Sequence, residues 1–232
     1  MQADQTTTSN PIINIDNRVE NSDPVKDHRD YGSSSIIYSK GGLVLGMMRC
    51  ALGDRVFFDG LSEYLDQNKY HSTTSDILYS TWQNFIKNKN IEIKSEYSSS
   101  DTGLCGELGK NTQNFTFLPT GASVADVWDT WTRQMGYPFI KVKTEEKKLI
   151  LTQKRFLNNP DENLDSPKSS FNYLWHIPLQ VQTQNQFYSF WMSNSTNEQS
   201  FAIESSNFTV VNDQYRCVCN RNYDICARSN RR

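Results

Sequence analysis

The chain has 232 residues, a formal net charge of −2 and no long block of like charge, so its composition does not predict binding to nucleic acid or to a membrane surface. This length accommodates two small domains, each with its own core. No stretch approaches the ~20 apolar residues that span a bilayer, and residues 2–10 lack the charged and apolar regions of a signal peptide. As written, the chain is expected to remain in the cytoplasm.

The first helices are predicted by a change of pattern at Tyr38, after the polar, turn-rich residues 1–36. Apolar side chains then occur nearly all round the helical circumference as far as Gly53, which is typical of a central helix. Asp54 is the predicted N-cap of a second helix that ends near Asn68.

Two sequence boxes of the form Ser/Thr-x-x-Asp predict the starts of two further helices. Thr73 with Asp76 precedes apolar residues at helical spacing, and Ser123 with Asp126 does the same later in the chain. Between these helices, residues 88–121 lose all periodicity and fill with Ser, Asn, Gly and Lys, which indicates a long exposed insertion.

From Pro138 onward, polar and apolar residues alternate with the period of two that is typical of strands. Six or seven short strands separated by turn-rich breaks predict a small antiparallel β-sandwich over residues 138–224, followed by a tail at 225–232. The sequence therefore predicts an α+β fold with a mostly helical domain at residues 1–137. The predicted strands are 139–143, 148–153, 173–181, 187–192, 201–204, 208–211 and 215–219.

The cysteines do not indicate a metal site. There are five of them, an odd number, so at least one is unpaired within the chain. Cys50 lies on an apolar helical stripe and is predicted to be an ordinary buried thiol. Cys217, Cys219 and Cys226 have no fourth ligand near them in the sequence, which argues against a zinc site there.

Three asparagines are glycosylation candidates, because Asn114, Asn194 and Asn207 each begin an Asn-x-Ser/Thr sequon. Such sequons matter chemically only in a secretory lumen, whereas the polar N-terminus indicates the cytosol. The compartment therefore stays open at this point.

Four segments of the chain, taken in order and spacing, resemble one enzyme family. They match the second half of the thermolysin-like catalytic domain and the following β-sandwich of the aminopeptidase N-like zinc aminopeptidases, which are gluzincins. The resemblance covers residues 36–95 and 122–224. The segments are Tyr38–Gly42, Asp126–Pro138 with its Trp-Thr-Arg-Gln-Met-Gly-Tyr-Pro string, Phe156–Leu157 and Phe171–Leu179.

The resemblance implies a catalytic role for Tyr38. In the family, zinc held by His-Glu-x-x-His and a downstream Glu activates a water molecule, and a tyrosine hydroxyl donates a hydrogen bond to the developing oxyanion. Tyr38 matches that tyrosine, and it is followed by the family's Lys-Gly at Lys40 and Gly41. One such donor contributes about 3 kcal/mol to lowering the barrier.

The chain departs from the family at several motifs. His-Glu-x-x-His and the amine-anchoring Gly-x-Met-Glu-Asn are absent, and the family's Ser-His-Pro is matched by Ser9–Pro11, which has Asn in place of His. The family's Phe-Asp is replaced at Ser33-Ser34. His28, His71 and His176 are too scattered to form a local zinc site. No metal is therefore expected in this chain, although the full-length family uses zinc.

These observations favour a fragment of a zinc metalloaminopeptidase that removes N-terminal residues from peptides, inactive by itself. Whether the chain is an enzyme stays open. The full-length parent is expected at the plasma membrane or outside the cell, with peptides as substrates and no nucleic acid partner. A second hypothesis is a non-catalytic module that associates with a full-length homologue, with the missing N-terminal part or with a peptide, and a third is a truncated gene model.

Overall fold

The computed structural model describes residues 4–5, 9, 11–13, 36–88, 118–159, 161–165, 167–183, 187–204 and 208–211. Helices occupy the first part of these residues and strands the second, as the sequence predicts. Most of the predicted insertion, the predicted strand at 215–219 and the tail at 225–232 lie outside the described residues.

The helical part begins with a short π-helix, Ile36–Lys40, that leads into α1, Gly41–Gln67. Two shorter helices follow, α2 at Ser75–Asn88 and α3 at Val124–Thr132. The strands are β1 (Pro138–Glu145), β2 (Lys148–Arg155), β3 (Ile177–Thr183), β4 (Phe187–Met192), β5 (Glu198–Ala202) and β6 (Phe208–Val211). None of the helices in the described part of the chain is apolar over a bilayer-spanning length.

Helix α1 is broken at Gly53, where the sequence predicts the end of one helix and the start of another. Gly53 has φ 75° and ψ 158°, a backbone conformation that glycine adopts without the steric penalty of a Cβ atom. Asp54, the predicted N-cap, instead pairs with Arg49, whose Nε and Nη2 donate to its two carboxylate oxygens at 2.7 and 2.9 Å. The predicted break is thus confirmed, and an ion pair spans it.

The starts of α2 and α3 test the two predicted capping boxes. At α2 the box is misplaced by one residue, because the Ile77 N–H donates to the Thr74 hydroxyl at 3.4 Å. The hydroxyl of Thr73 contacts that of Tyr64 instead. At α3 the box is confirmed: the Asp126 N–H donates to Ser123 Oγ at 3.1 Å, and the Ser123 N–H donates to the Asp126 carboxylate at 2.8 Å.

The described strands form two antiparallel three-stranded sheets and no closed barrel, with strand orders β1-β2-β5 and β4-β3-β6. The predicted strand at 173–181 begins later, at Ile177. Asn172 and Tyr173 have φ of 52° and 53°, which places them in a turn rather than in a strand. The predicted strand at 201–204 instead covers Glu198–Ala202.

One hydrophobic core links the helices with both sheets. Trp82 of α2, Trp128 of α3 and Trp175 before β3 are each fully buried in it. The indole N–H of Trp131 donates to the backbone carbonyl of His176 at 2.7 Å, joining α3 to the segment before β3. The α+β fold is confirmed, whereas the predicted domain boundary at residue 137 stays a prediction.

Gly60 lies in tight contact with Trp82, which generates a first prediction. A Cβ atom added there would lie 2.4 Å from Cδ1 of Trp82. Since this indole is locked in the core, we expect Gly60→Ala to lower the free energy of unfolding by about 1–3 kcal/mol. Gly46→Ala on the same helix meets no atom within 4 Å and should raise it by about 0.5–1 kcal/mol. Equal urea midpoints for the two variants would contradict the packing of α1 on α2.

Candidate functional site

Tyr38 lies in the π-helix just before α1, with 80% of its side chain exposed. The residues at the two ends of this turn are buried, Ile36 at 4% exposure and Lys40 at 2%. The turn is therefore anchored on both sides while it presents the phenol outward. Single π-helical turns are frequent at functional sites.

Lys40 is a buried cation that ties this turn to two distant segments. Its Nζ donates to the carbonyl of Gly136 at 2.8 Å and to that of Gln134 at 3.2 Å, and lies 3.0 Å from Oδ2 of Asp4. Two of these contacts are hydrogen bonds to backbone carbonyls, and the third is an ion pair with the Asp4 carboxylate. The other Asp4 oxygen, Oδ1, accepts from the Gly136 N–H at 2.8 Å and from the hydroxyl of Ser9.

The electrostatics of this cluster are governed by burial. Burial lowers the pKa of Lys40, against the opposing effect of the Asp4 carboxylate, and the positive charge of Arg155 lowers it further. Arg155 is itself only 2% exposed, and its guanidinium lies 4.1 Å from the centre of the Tyr173 ring. Burial also lowers the pKa of Arg155. Asp4 thus shares a buried region with two cations.

Gly136 is required where it stands, because two independent constraints exclude a side chain. Its φ is 75°, and an added Cβ atom would lie 3.0 Å from Nε of Arg155. The side chain of Gln134 donates to the carbonyls of Thr130 and Leu174 at 2.7 and 3.0 Å. The Gln-Met-Gly part of the family-like string therefore builds the turn that receives the Lys40 ammonium.

Sequence reasoning singled out Tyr38 and missed the buried residues behind it. Asp4 and Arg155 were not predicted, and Lys40 counted only as part of a motif. Asp4 carries no usable local signal, since it stands in a polar, turn-rich segment. Lys40 does carry one: it is a lone charge between Ile36 and Leu43 at the start of an apolar helix, and such a charge needs a buried partner.

Within the described residues, no group of three or more His, Cys, Asp and Glu side chains lies close enough to hold a metal. His176 is buried beside Trp131, His71 is exposed, and His28 lies outside the described residues. This part of the chain does not fit the zinc ion that the resemblance implies for the full-length family. That the whole chain binds no metal stays a prediction.

Cys50 corrects one prediction from the sequence. It is disulfide-bonded rather than a free thiol, and it is 8% exposed. The other four cysteines lie outside the described residues, so its partner does too. The periodicity of a helix identifies a buried position but contains no information on which distant cysteine approaches it. Of the three glycosylation candidates, Asn194 lies in the connection between β4 and β5, and Asn114 and Asn207 are outside the described residues.

Comparison with known proteins shows that the chain is similar to peptidases. A model of the peptidase family M1 domain matches residues 1–97. Human endoplasmic reticulum aminopeptidase 2 is 33% identical over 152 residues, which are 65% of this chain and 15% of that protein. Human aminopeptidase N is 29% identical over 192 residues, 82% of this chain and 17% of that protein. Bovine endoplasmic reticulum aminopeptidase 2 is 25% identical over 250 residues, covering all of this chain and 25% of that protein. The chain thus spans about a quarter or less of each relative's length.

The buried ion pair generates a second prediction. Lys40→Met removes the cation and leaves the Asp4 carboxylate buried without it, so we expect a loss of about 3–5 kcal/mol in the free energy of unfolding. Lys69→Met is the matched control, because Lys69 is 63% exposed in its pair with Asp66 and should change stability by no more than about 0.5 kcal/mol. Urea unfolding measures both. A Lys40→Met protein as stable as the control would contradict the burial of this pair.

His176 generates a prediction on pH. Burial lowers its pKa below the usual value, opposed by the negative charge of Asp126. Between the folded pKa and about 6.5, the unfolded chain therefore binds more protons than the folded one, and stability falls as the pH falls. We expect the urea midpoint to decrease as the pH is lowered from 7 through this range, and His176→Gln to flatten that decrease. If the urea midpoint of His176→Gln depends on pH as steeply as that of the wild type, other groups cause the decrease.

Proposed function

This chain belongs to peptidase family M1, and from that membership we propose that it is part of a zinc metalloaminopeptidase that removes N-terminal residues from peptides. We assign Tyr38 as the residue that stabilises the oxyanion of that reaction. The observation that carries the assignment is the exposed phenol on a turn whose two ends are buried, within the residues that match the family. The names of the relatives, all aminopeptidases, support the reaction class.

Tyr38 would act as a hydrogen-bond donor. When a nucleophile adds to a peptide carbonyl, negative charge develops on its oxygen, and a donor already in position stabilises that charge without reorganising. The contacts of Lys40 with Asp4, Gln134 and Gly136 support this role, because they hold the turn that carries the phenol. Lys40 is thus a positioning residue, since it acts on the reaction only through Tyr38.

The nucleophile is the missing part of this mechanism. In the family, a bound zinc ion supplies the activated water, and the described residues offer no ligand group for it. An oxyanion donor lowers the barrier only when a nucleophile attacks, because the charge that it stabilises develops during that attack. We therefore propose that the chain alone does not hydrolyse peptides.

A second candidate function is a non-catalytic module that associates with a full-length homologue, with the missing N-terminal part or with a peptide. It is favoured by large apolar side chains that are exposed on the π-helix and α1: Ile37 at 42%, Leu45 at 47% and Phe58 at 48%. Large apolar side chains left in solvent are available to contact a partner. Co-purification of a homologue with the chain, lost in Leu45→Glu, would favour this function, and a monomer without such a partner would argue against it.

For the location we propose a plasma-membrane or extracellular parent, reached through the secretory pathway as a glycoprotein. The disulfide at Cys50 supports an oxidising compartment, since cytosolic thiols are kept reduced. Two of the relatives reported above, one human and one bovine, are named for the endoplasmic reticulum, which is the first compartment of that pathway.

The proposed lack of activity is directly testable. Purified chain incubated with an aminoacyl-arylamide and added zinc should release no more arylamine than the same chain with a chelator. Because no nucleophile is expected, Tyr38→Phe should behave identically. Chelator-sensitive turnover by the wild-type chain, reduced in Tyr38→Phe, would contradict the proposal.

The role of Tyr38 is tested in any longer form of this protein that hydrolyses peptides. There, Tyr38→Phe should lower kcat by about 10²–10³-fold with a small change in KM, because the donor acts in the transition state. Tyr70→Phe is the matched control, since Tyr70 is fully exposed beyond the end of α1. Equal kcat values for the two variants would contradict a role of Tyr38 in the reaction.

A further inference from the structure

The connection between β4 and β5, residues 193–197, passes from one sheet to the other and is held firmly at its two ends. The Ser193 N–H donates to Gln199 Oε1 at 3.1 Å, and the Ser193 carbonyl accepts from Gln199 Nε2 at 2.8 Å and from Gln153 Nε2 at 3.1 Å. The carbonyl of Asn197 accepts from the Gln153 N–H at 2.7 Å. Two glutamines thus anchor the connection to β2 and β5.

The residues between these anchors form a turn that carries the sequon Asn194-Ser195-Thr196. Ser195 and Thr196 are exposed, and Asn194 is partly exposed. The Thr196 hydroxyl donates to the carbonyl of Glu198 at 2.9 Å, which holds the third sequon residue in the turn. Among the described residues, no side chain or backbone group hydrogen-bonds to the Asn194 carboxamide. This carboxamide is therefore not needed to hold the fold.

Two observations favour modification of this asparagine. It lies in a short turn between strands, so a bulky group attached to it projects from the fold without displacing β4 or β5. In addition, the chain carries a disulfide at Cys50, which is typical of the oxidising lumen in which sequons are modified. The two observations are independent, because Cys50 lies on α1 and Asn194 in the sheet region.

From this geometry we propose that Asn194 carries an N-linked glycan. The donor is a lipid-linked oligosaccharide pyrophosphate. The bond between its anomeric carbon and the pyrophosphate oxygen breaks, a bond from that carbon to Nδ2 of Asn194 forms, the carboxamide loses one proton, and the lipid pyrophosphate leaves. The proposal rests on the secretory route proposed above, and it adds a specific modified residue to it.

The acceptor is tested by making Asn194 the only sequon of the chain. The variant Asn114→Gln/Asn207→Gln, directed into the endoplasmic reticulum of eukaryotic cells by a fused leader, should migrate one glycan step above its position after peptide N-glycosidase treatment. In that background, Asn194→Gln and Thr196→Ala should lose this step. Thr196→Ser, which keeps the sequon, should retain it.

The matched control is Asn197→Gln, which changes an exposed asparagine of the same turn that starts no sequon, and it should retain the glycan step. If the single-sequon chain stays unmodified while a glycoprotein expressed beside it is modified, the proposal is wrong. Equal mobility of this chain and its Asn194→Gln variant would also overturn it.

Because the fused leader imposes the compartment, this experiment tests the acceptor independently of where the natural protein resides and of any peptidase activity. Mass spectrometry of the protein from its native source tests the acceptor and the secretory route together. Conversion of Asn194 to aspartate by peptide N-glycosidase supports the proposal. If the single-sequon chain is glycosylated but Asn194 of the native protein is unmodified, the proposed secretory route is wrong, whereas Asn194 remains a competent acceptor. A Tyr38→Phe variant with unchanged kinetics would contradict the proposed catalytic role of Tyr38, but it would not affect the glycan proposal or the proposed secretory route.

Discussion

The structure depends on one buried ammonium group, that of Lys40, which joins three segments distant in the sequence. It contacts Asp4 near the N-terminus and the turn formed by Gln134 and Gly136 between the last helix and the first strand. Burying a charge is costly, and the cost is offset only when the group is paired and its donors are satisfied. Because Lys40 pairs with Asp4 and donates to two backbone carbonyls, Asp4 is part of the packed molecule.

The same cluster explains how Tyr38 is exposed on a fixed turn. Anchoring at Ile36 and Lys40 leaves Tyr38 between them with its phenol exposed, so the donor is held in place without being enclosed. A donor of this kind stabilises charge that another group must create. The chain spans only 15% and 17% of the human relatives' lengths. The exposed phenol on an anchored turn is the feature that supports the proposed role of Tyr38.

Local patterns predicted much of the fold, because the interactions behind them lie within a few residues. The break at Gly53 follows from glycine's freedom of φ, and the box of Ser123 and Asp126 from the unpaired N–H groups of a helix start. Alternation beyond Pro138 located six of the predicted strands. The same reasoning placed the cap of α2 one residue early, at Thr73 instead of Thr74, because neighbouring threonines offer the same chemistry and only packing selects between them.

Tertiary structure decided where distant groups meet. It placed Tyr173 in a left-handed turn beneath the Arg155 guanidinium, and it bonded Cys50 to a cysteine outside the described residues. The sequence by itself determined the helices, most of the strands and the resemblance to the family, since each depends on residue type and short spacing. Only the tertiary structure decided that Lys40 is buried against Asp4, because two charges distant in the sequence meet and lose their water only when the chain folds.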